Sequence, residues 1–347
     1  MEYKKSAKER FLDEYFGGVE DWDKHMAGLI TADENAHFLE TREKIMKKQE
    51  EFGNITNFEL GREMWYSNYF FINSLILNFI TDAEGDPDLI NELKKIYVGV
   101  LGNFGPDVVA LNMDEEYDGY LIKMNADVDY QLTFISDLVS YHMYGMTLND
   151  GRERDNLIPK MWESLSDLVD KKALLKKIRE NRQAPAPRQV DLESPRLHIA
   201  TDLYVAGMSF VLGHEIGHHF LKHTESNGRN IVAKFMPPDG TFSQLHLDEF
   251  TADNFSFDLL IRGMKERNDL TLFAPSLIVI LLLALYDKTP QEPSQTHPSL
   301  RDRYLNLLKR VSEQDEEVAS KLQQIFNHVA TWINVALDGH WKTEWWK

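Results

Sequence analysis

Along most of the chain, apolar residues recur every three to four positions, the spacing that lines one face of an α-helix. The pattern predicts amphipathic helices over about residues 2–16, 31–51 and 58–80, the last rich in aromatic residues, and then over 130–144 and 157–182. Between Tyr97 and Asn125 the character changes. VVALNM and YLIKMN flank the polar turn DEEYDG, which is the pattern of two short strands joined by a loop. The stretch QAPAPRQVDLESPR, residues 183–196, carries three prolines and sustains neither helix nor central strand, so it is the expected boundary. Beyond it, helices are predicted over 197–223, 245–264, 272–286 and 298–334, with a short strand over 230–236 ahead of the turn PPDG. The closing HWKTEWWK is rich in tryptophan, whose large rings predict packing against the body. The expected fold class is mainly α with a small antiparallel β element (α+β). A helical N-terminal region, 1–185, contains a β hairpin near 107–125, and a C-terminal domain, 196–347, bears the chemistry.

Composition narrows the chemistry. With 347 residues and 43% hydrophobic content, the chain can bury a sizeable core. It has no cysteine, which excludes disulfides, thiolate ligands, iron–sulfur clusters and cysteine nucleophiles. Any metal must therefore be held by His, Asp or Glu. A net charge of -18 excludes nucleic acid as the expected partner, because a surface of that sign repels phosphate. The N-terminal MEYKKSAKERFLDEYF alternates charges and lacks the apolar core of a secretion signal. The longest apolar run, Leu272 to Tyr286, contains Pro275 and falls short of the roughly 20 residues a bilayer requires, so it reads as a buried helix. No membrane span and a cytoplasmic location are the expectations.

The chemistry concentrates in VLGHEIGHHFLKH, residues 211–223. His214 and His218 are four apart and share a helix face, with Glu215 beside them, in the pattern HExxH. This spacing lets two imidazoles reach one ion while a carboxylate stands ready to take a proton from water bound at an open position. The approach to the motif is apolar, with Gly207, Gly213 and Gly217 allowing another backbone to come close. Polar groups on so apolar a helix cost several kcal/mol unless paired or coordinated. His219 and His223 lie on neighbouring faces and are expected to form a solvated or supporting edge. Leu221 and Thr224 stand where a three-histidine site would need Gly and His, which excludes that class. A third ligand is expected from LHLDEFTADNF, where Glu249 and Asp253 again share a face. Glu249 is the preferred ligand and Asp253 the expected hydrogen-bond partner of a ligand histidine, with His246, Asp248 and Asp253 as alternative ligands. Further on, QTHPSLRDRY places His297 before a proline that can open a helix, with Arg303 inside it. His297 there can donate a hydrogen bond to an oxyanion.

HEIGHH, EFTAD and HPSLRDR in this order resemble the gluzincin group of zinc endopeptidases, and within it the HtpX-type and prenyl-protein endopeptidases. A similar HExxH occurs in the phage-exclusion peptidases of the Lit type. The resemblance covers about residues 200–310 and implies a zincin-like metallopeptidase core in the C-terminal half. It implies His214, His218 and Glu249 as metal ligands, Glu215 as base and Asp253 behind a ligand histidine. It also implies His297 near the oxyanion and Arg303 as a structural or substrate-side cation. Zn²⁺ is the expected cofactor, although the donor set also tolerates manganese or cobalt. The expected function is that of a soluble zinc-dependent metallopeptidase acting on a protein or peptide substrate. The alternatives are a regulatory or binding protein on the same scaffold and a hydrolase of non-peptide amides or esters. HtpX-type enzymes are usually embedded in membranes, which this chain does not match, and residues 1–195 lie outside the likeness.

Overall fold

The computed structural model describes residues 4–18, 20, 75–76, 78–80, 83, 85–101, 105, 107–125, 127–170, 195–225, 242–262 and 270–347. The helix expected over 31–51, most of that over 58–80, the proline-rich stretch up to residue 194 and the strand expected over 230–236 lie outside these. The described elements run β1 (Lys5–Ser6), α1 (Ala7–Phe16), α2 (Pro87–Leu93), β2 (Ile96–Leu101), β3 (Val108–Ala110), β4 (Tyr117–Asp118) and β5 (Tyr120–Asn125). They continue with α3 (Asp127–Thr147), α4 (Gly151–Asp155), α5 (Ile158–Val169), α6 (Pro195–Phe220), α7 (Gln244–Arg262), α8 (Leu270–Leu285), α9 (Leu300–Gln314) and α10 (Glu316–Ala336). The protein is thus mainly helical with a small sheet. It divides into two compact units, residues Met1–Ala126 with Glu215–Arg229, and Asp127–His214 with Asn230–Lys347.

In the first unit β1 pairs with β4, and the main sheet has the order β2-β5-β3. The expected hairpin is present as the antiparallel pair of β3 and β5, with Val109 opposite Lys123. β2 adds a parallel pairing, Ile96 opposite Tyr120 through Leu101 opposite Asn125, so the sheet is mixed and not purely antiparallel. IYVGVL is a short, continuous apolar run with no alternation, and such a run does not by itself distinguish strand from buried helix. Helix α1 lies against this sheet. It opens with a capping box in which the Ser6 side chain accepts from the Glu9 N–H while the Glu9 carboxylate takes the Ser6 N–H at 2.7 Å. Phe11 is fully buried, and at Gly99 of β2 a Cβ would fall 2.2 Å from its ring, so only glycine admits the aromatic there.

The second unit is built around α8, which is apolar on all sides and therefore belongs in an interior. Leu277, Ile280, Leu281 and Ala284 are buried, and α3, α9 and α10 pack around the helix. Among the described residues no helix is long and apolar enough to cross a membrane. The C-terminal tryptophans pack inward as expected. Trp341, Trp345 and Trp346 are buried in mutual edge-on contacts, and Trp341 Nε1 donates to the Ala284 carbonyl at 2.8 Å.

His142 of α3 is buried against His328 and Trp332 of α10, with ring centroids 5.1 Å away in both cases. Burial, reinforced by His328, pushes its pKa from 6.5 down to about 3. Between those values the unfolded chain binds more protons than the folded one, so stability is lost as pH falls below about 6.5. His142→Phe keeps a ring against Trp332 and cannot titrate. Denaturant unfolding at pH 7 and pH 5 is expected to show a smaller acid loss for this variant than for wild type. Equal losses would clear His142 of any part in acid sensitivity.

Candidate metal centre

Helix α6 carries HExxH near its C-terminal end. Its apolar residues Leu203, Met208, Phe210, Leu212 and Ile216 are buried, which holds the motif's polar groups in the interior. The expected close approach is made at Gly213. A Cβ there would lie 2.6 Å from Ser256 Oγ of α7, and that hydroxyl donates to the Phe210 carbonyl at 2.6 Å. With these helices so close, His214 of α6 faces Glu249 and Asp253 of α7, all three buried.

His214 is held from both sides. Its Nδ1 lies 2.9 Å from Asp253 Oδ1 and its Nε2 lies 3.4 Å from Glu249 Oε2. Burial opposes a charged ring, but the bonds to Asp253 and then Glu249 outweigh it and hold the His214 pKa up at about 10. The surroundings therefore favour positive charge beside Nε2. Asp253 is fully buried and takes a bidentate pair from Arg303 of α9, Nε to Oδ2 at 2.9 Å and Nη2 to Oδ1 at 2.7 Å. Burial alone would raise its pKa, but Arg303 and His214 hold the carboxyl below the usual range. Arg303 Nη1 also reaches Glu249 Oε2 at 3.5 Å. The guanidinium thus lies behind both carboxylates.

His218, one turn beyond His214, completes a set in which donor atoms of His214, His218 and Glu249 all lie within 4.8 Å of one another. These residues fit a metal ion. Two ligands of one tetrahedral Zn²⁺, each about 2.1 Å from it, stand about 3.4 Å apart, and the His214 to Glu249 separation has that value. The other expected ligands are engaged elsewhere. His246 Nε2 meets the Ser294 carbonyl at 2.9 Å, and Asp248 accepts from Gln244 at 2.8 Å. His297 is 57% exposed at its side chain, with Nε2 3.6 Å from Glu249 Oε1 and Nδ1 2.8 Å from Thr296 Oγ1. It stands at the rim of the cluster just before α9, whose N-cap is Ser299.

Within the first unit, which takes in Glu215–Arg229, the end of α6 meets the sheet. Glu215 is buried and its Oε2 accepts the Ala110 N–H of β3 at 2.6 Å. Leu111 N–H bonds inward to the Leu121 carbonyl, so strand alternation turns the N–H groups of Val108 and Ala110 to the outer edge of β3. His219 is not on a solvated edge. It is buried beside Tyr120, with Nε2 3.2 Å from the Leu121 carbonyl and Nδ1 3.0 Å from Thr224 Oγ1. Because a carbonyl only accepts, Nε2 carries the proton, and burial pushes the ring's pKa down to about 3, keeping it neutral. His223 lies with its Nδ1 3.0 Å from His218 Nδ1. A periodic reading of the sequence missed these contacts, since they depend on where the helix stops.

The Peptidase U49 family model matches residues 144–325, just over half of the chain. The chain belongs to this family. Peptidase U49 membership makes the protein a peptidase, and the matched span takes in HEIGH, Glu249, Asp253, His297 and Arg303. Ala110 and the whole sheet lie before it. Comparison with curated proteins and with solved structures found no match.

Removing Arg303 would leave the buried Glu249 and Asp253 carboxylates without their cation. Arg303→Met is expected to cost about 3–5 kcal/mol in chemical denaturation, the usual consequence of orphaning a buried charge. A loss below about 1 kcal/mol, the range of a surface ion pair, would contradict the structural role given to the guanidinium.

Proposed function

We propose that the protein is a metallopeptidase of gluzincin type that hydrolyses peptide bonds with Zn²⁺ held by His214, His218 and Glu249. The observation that carries this reading is the convergence of those donors, His214 and Glu249 buried and His218 half-buried, backed by Asp253 and Arg303. A bound divalent ion would supply a Lewis acid and water acidified toward neutral pH. Glu215 is the general base. It follows His214 directly on the helix, and the Ala110 N–H fixes the orientation of its carboxylate. Arg303 keeps Glu249 and Asp253 in place, and Asp253 fixes the ring of His214. His297, at the exposed rim, donates to the oxyanion that forms on the substrate carbonyl.

The substrate is a protein or peptide, and its main chain is expected to add as an extended strand to the outer edge of β3. That edge leads through Ala110 to the base, which gives a backbone-reading enzyme a reason to place strand and helix end together.

Glu215→Gln removes the base and leaves the proposed ligands intact. It is expected to bind Zn²⁺ within a few-fold of wild type while cleavage of a peptide library, followed by mass spectrometry, falls by about 100-fold or more. Undiminished cleavage by this variant would rule out Glu215 as the base.

A further inference from the structure

The end of α6 is unusual. His223 N–H bonds to the His218 carbonyl at 2.9 Å and Lys222 N–H to the His219 carbonyl at 3.1 Å, which together form a Schellman stop. The left-handed position of this motif normally falls to glycine, but here it is Lys222, at φ 66°. A residue with a Cβ pays roughly 1–2 kcal/mol for that conformation, so something must hold it. Lys222 Nζ donates to Tyr120 Oη at 2.5 Å and lies 3.3 Å from a Glu92 carboxylate oxygen. On the far side of His223, the Thr224 carbonyl accepts the Met113 N–H at 2.9 Å. The backbone of His223 is thus fixed on both sides. Its ring is brought edge-on to that of His218, with centroids 5.1 Å apart.

We propose that His223 is a positioning residue for His218, fixing that ring's tautomer and orientation so that Nε2 is presented to a divalent cation. The inference rests on the reading of His214, His218 and Glu249 as a metal centre. Two ring nitrogens 3.0 Å apart share one proton. If His218 coordinates through Nε2, that nitrogen carries no proton and its Nδ1 is the donor. His223 Nδ1 must then accept, which assigns the proton of His223 to its own Nε2. The two ligand histidines are therefore backed differently, His214 by the Asp253 carboxylate and His218 by a neutral imidazole. Strain at Lys222 is the local cost of placing that imidazole, in keeping with the tendency of strained backbone to cluster at functional sites.

The test is a competition titration of Zn²⁺ against a chromophoric chelator, using full-length wild type, His223→Ala and His223→Asn. Thermal unfolding of the metal-free proteins serves as the control for folding. Asparagine places its Oδ1 close to where the histidine places Nδ1, so it can accept the same proton. The expected result is one ion bound by wild type, affinity about 10–100-fold weaker for His223→Ala, and recovery to within a few-fold for His223→Asn. Cobalt spectra of wild type and the asparagine variant should then coincide. Wild-type affinity in folded His223→Ala, or a folded His223→Asn as weak as the alanine variant, overturns the role of His223 and leaves the metal centre standing. Should the alanine variant fail to fold, His223→Asn decides alone. It supports the role if it binds like wild type and overturns it if it folds but binds weakly. No uptake by wild type would bring down the metal centre itself, and this inference with it.

Discussion

The arrangement depends on burying two carboxylates, Glu249 and Asp253, beside an imidazole in an interior that would otherwise reject them. Isolated carboxylates cost several kcal/mol each to desolvate, and that cost is met only if positive charge and hydrogen bonds surround them. Arg303 supplies one such charge, gripping Asp253 with two short bonds and touching Glu249. His214 lies between them, its Nδ1 2.9 Å from Asp253 and its Nε2 3.4 Å from Glu249. With Nδ1 turned to Asp253, an unprotonated Nε2 of His214 and the Glu249 carboxylate are the donors that the proposed metal ion would use.

Precision at the site also depends on how α6 ends. A buried helix can present His214 and His218 on one face by spacing alone, but spacing does not set the rotation of either ring. Asp253 sets it for His214, and a left-handed lysine places His223 beside His218. Glu215 is oriented by the backbone of an edge strand and not by a side chain. The small sheet, outside the span matched by Peptidase U49, thus reaches the motif through Ala110 and through the Leu121 carbonyl on His219.

Much of this was legible in the sequence because helical spacing is a strong signal. HExxH, the pair Glu249 and Asp253, and the order of the three motifs all report side chains that share a face or a neighbour, and the structure brings those residues together. The long apolar run and the tryptophan tail were legible as interior for a similar reason, as such surface has no other stable place. What escaped depended on chain reversal and on pairing between distant segments. β2 lacks alternation and pairs in parallel with a strand 24 positions on, so no local pattern announces it. From its own helix alone His219 reads as part of a solvated or supporting edge, because its burial comes from the sheet beneath it. The stop at Lys222 lacks the glycine that usually marks a Schellman motif, and its side chain is instead anchored by Tyr120, Glu92 and Glu225.

X-ray absorption at the zinc edge, on protein loaded with one equivalent of Zn²⁺, reads out the ligands around the ion. The expected result is a four-coordinate N/O shell at about 2.0–2.1 Å with the multiple-scattering signature of two imidazoles, and loss of one imidazole in His218→Ala. Failure to take up one equivalent, or a shell with no histidine signature that is unchanged in His218→Ala, would contradict it.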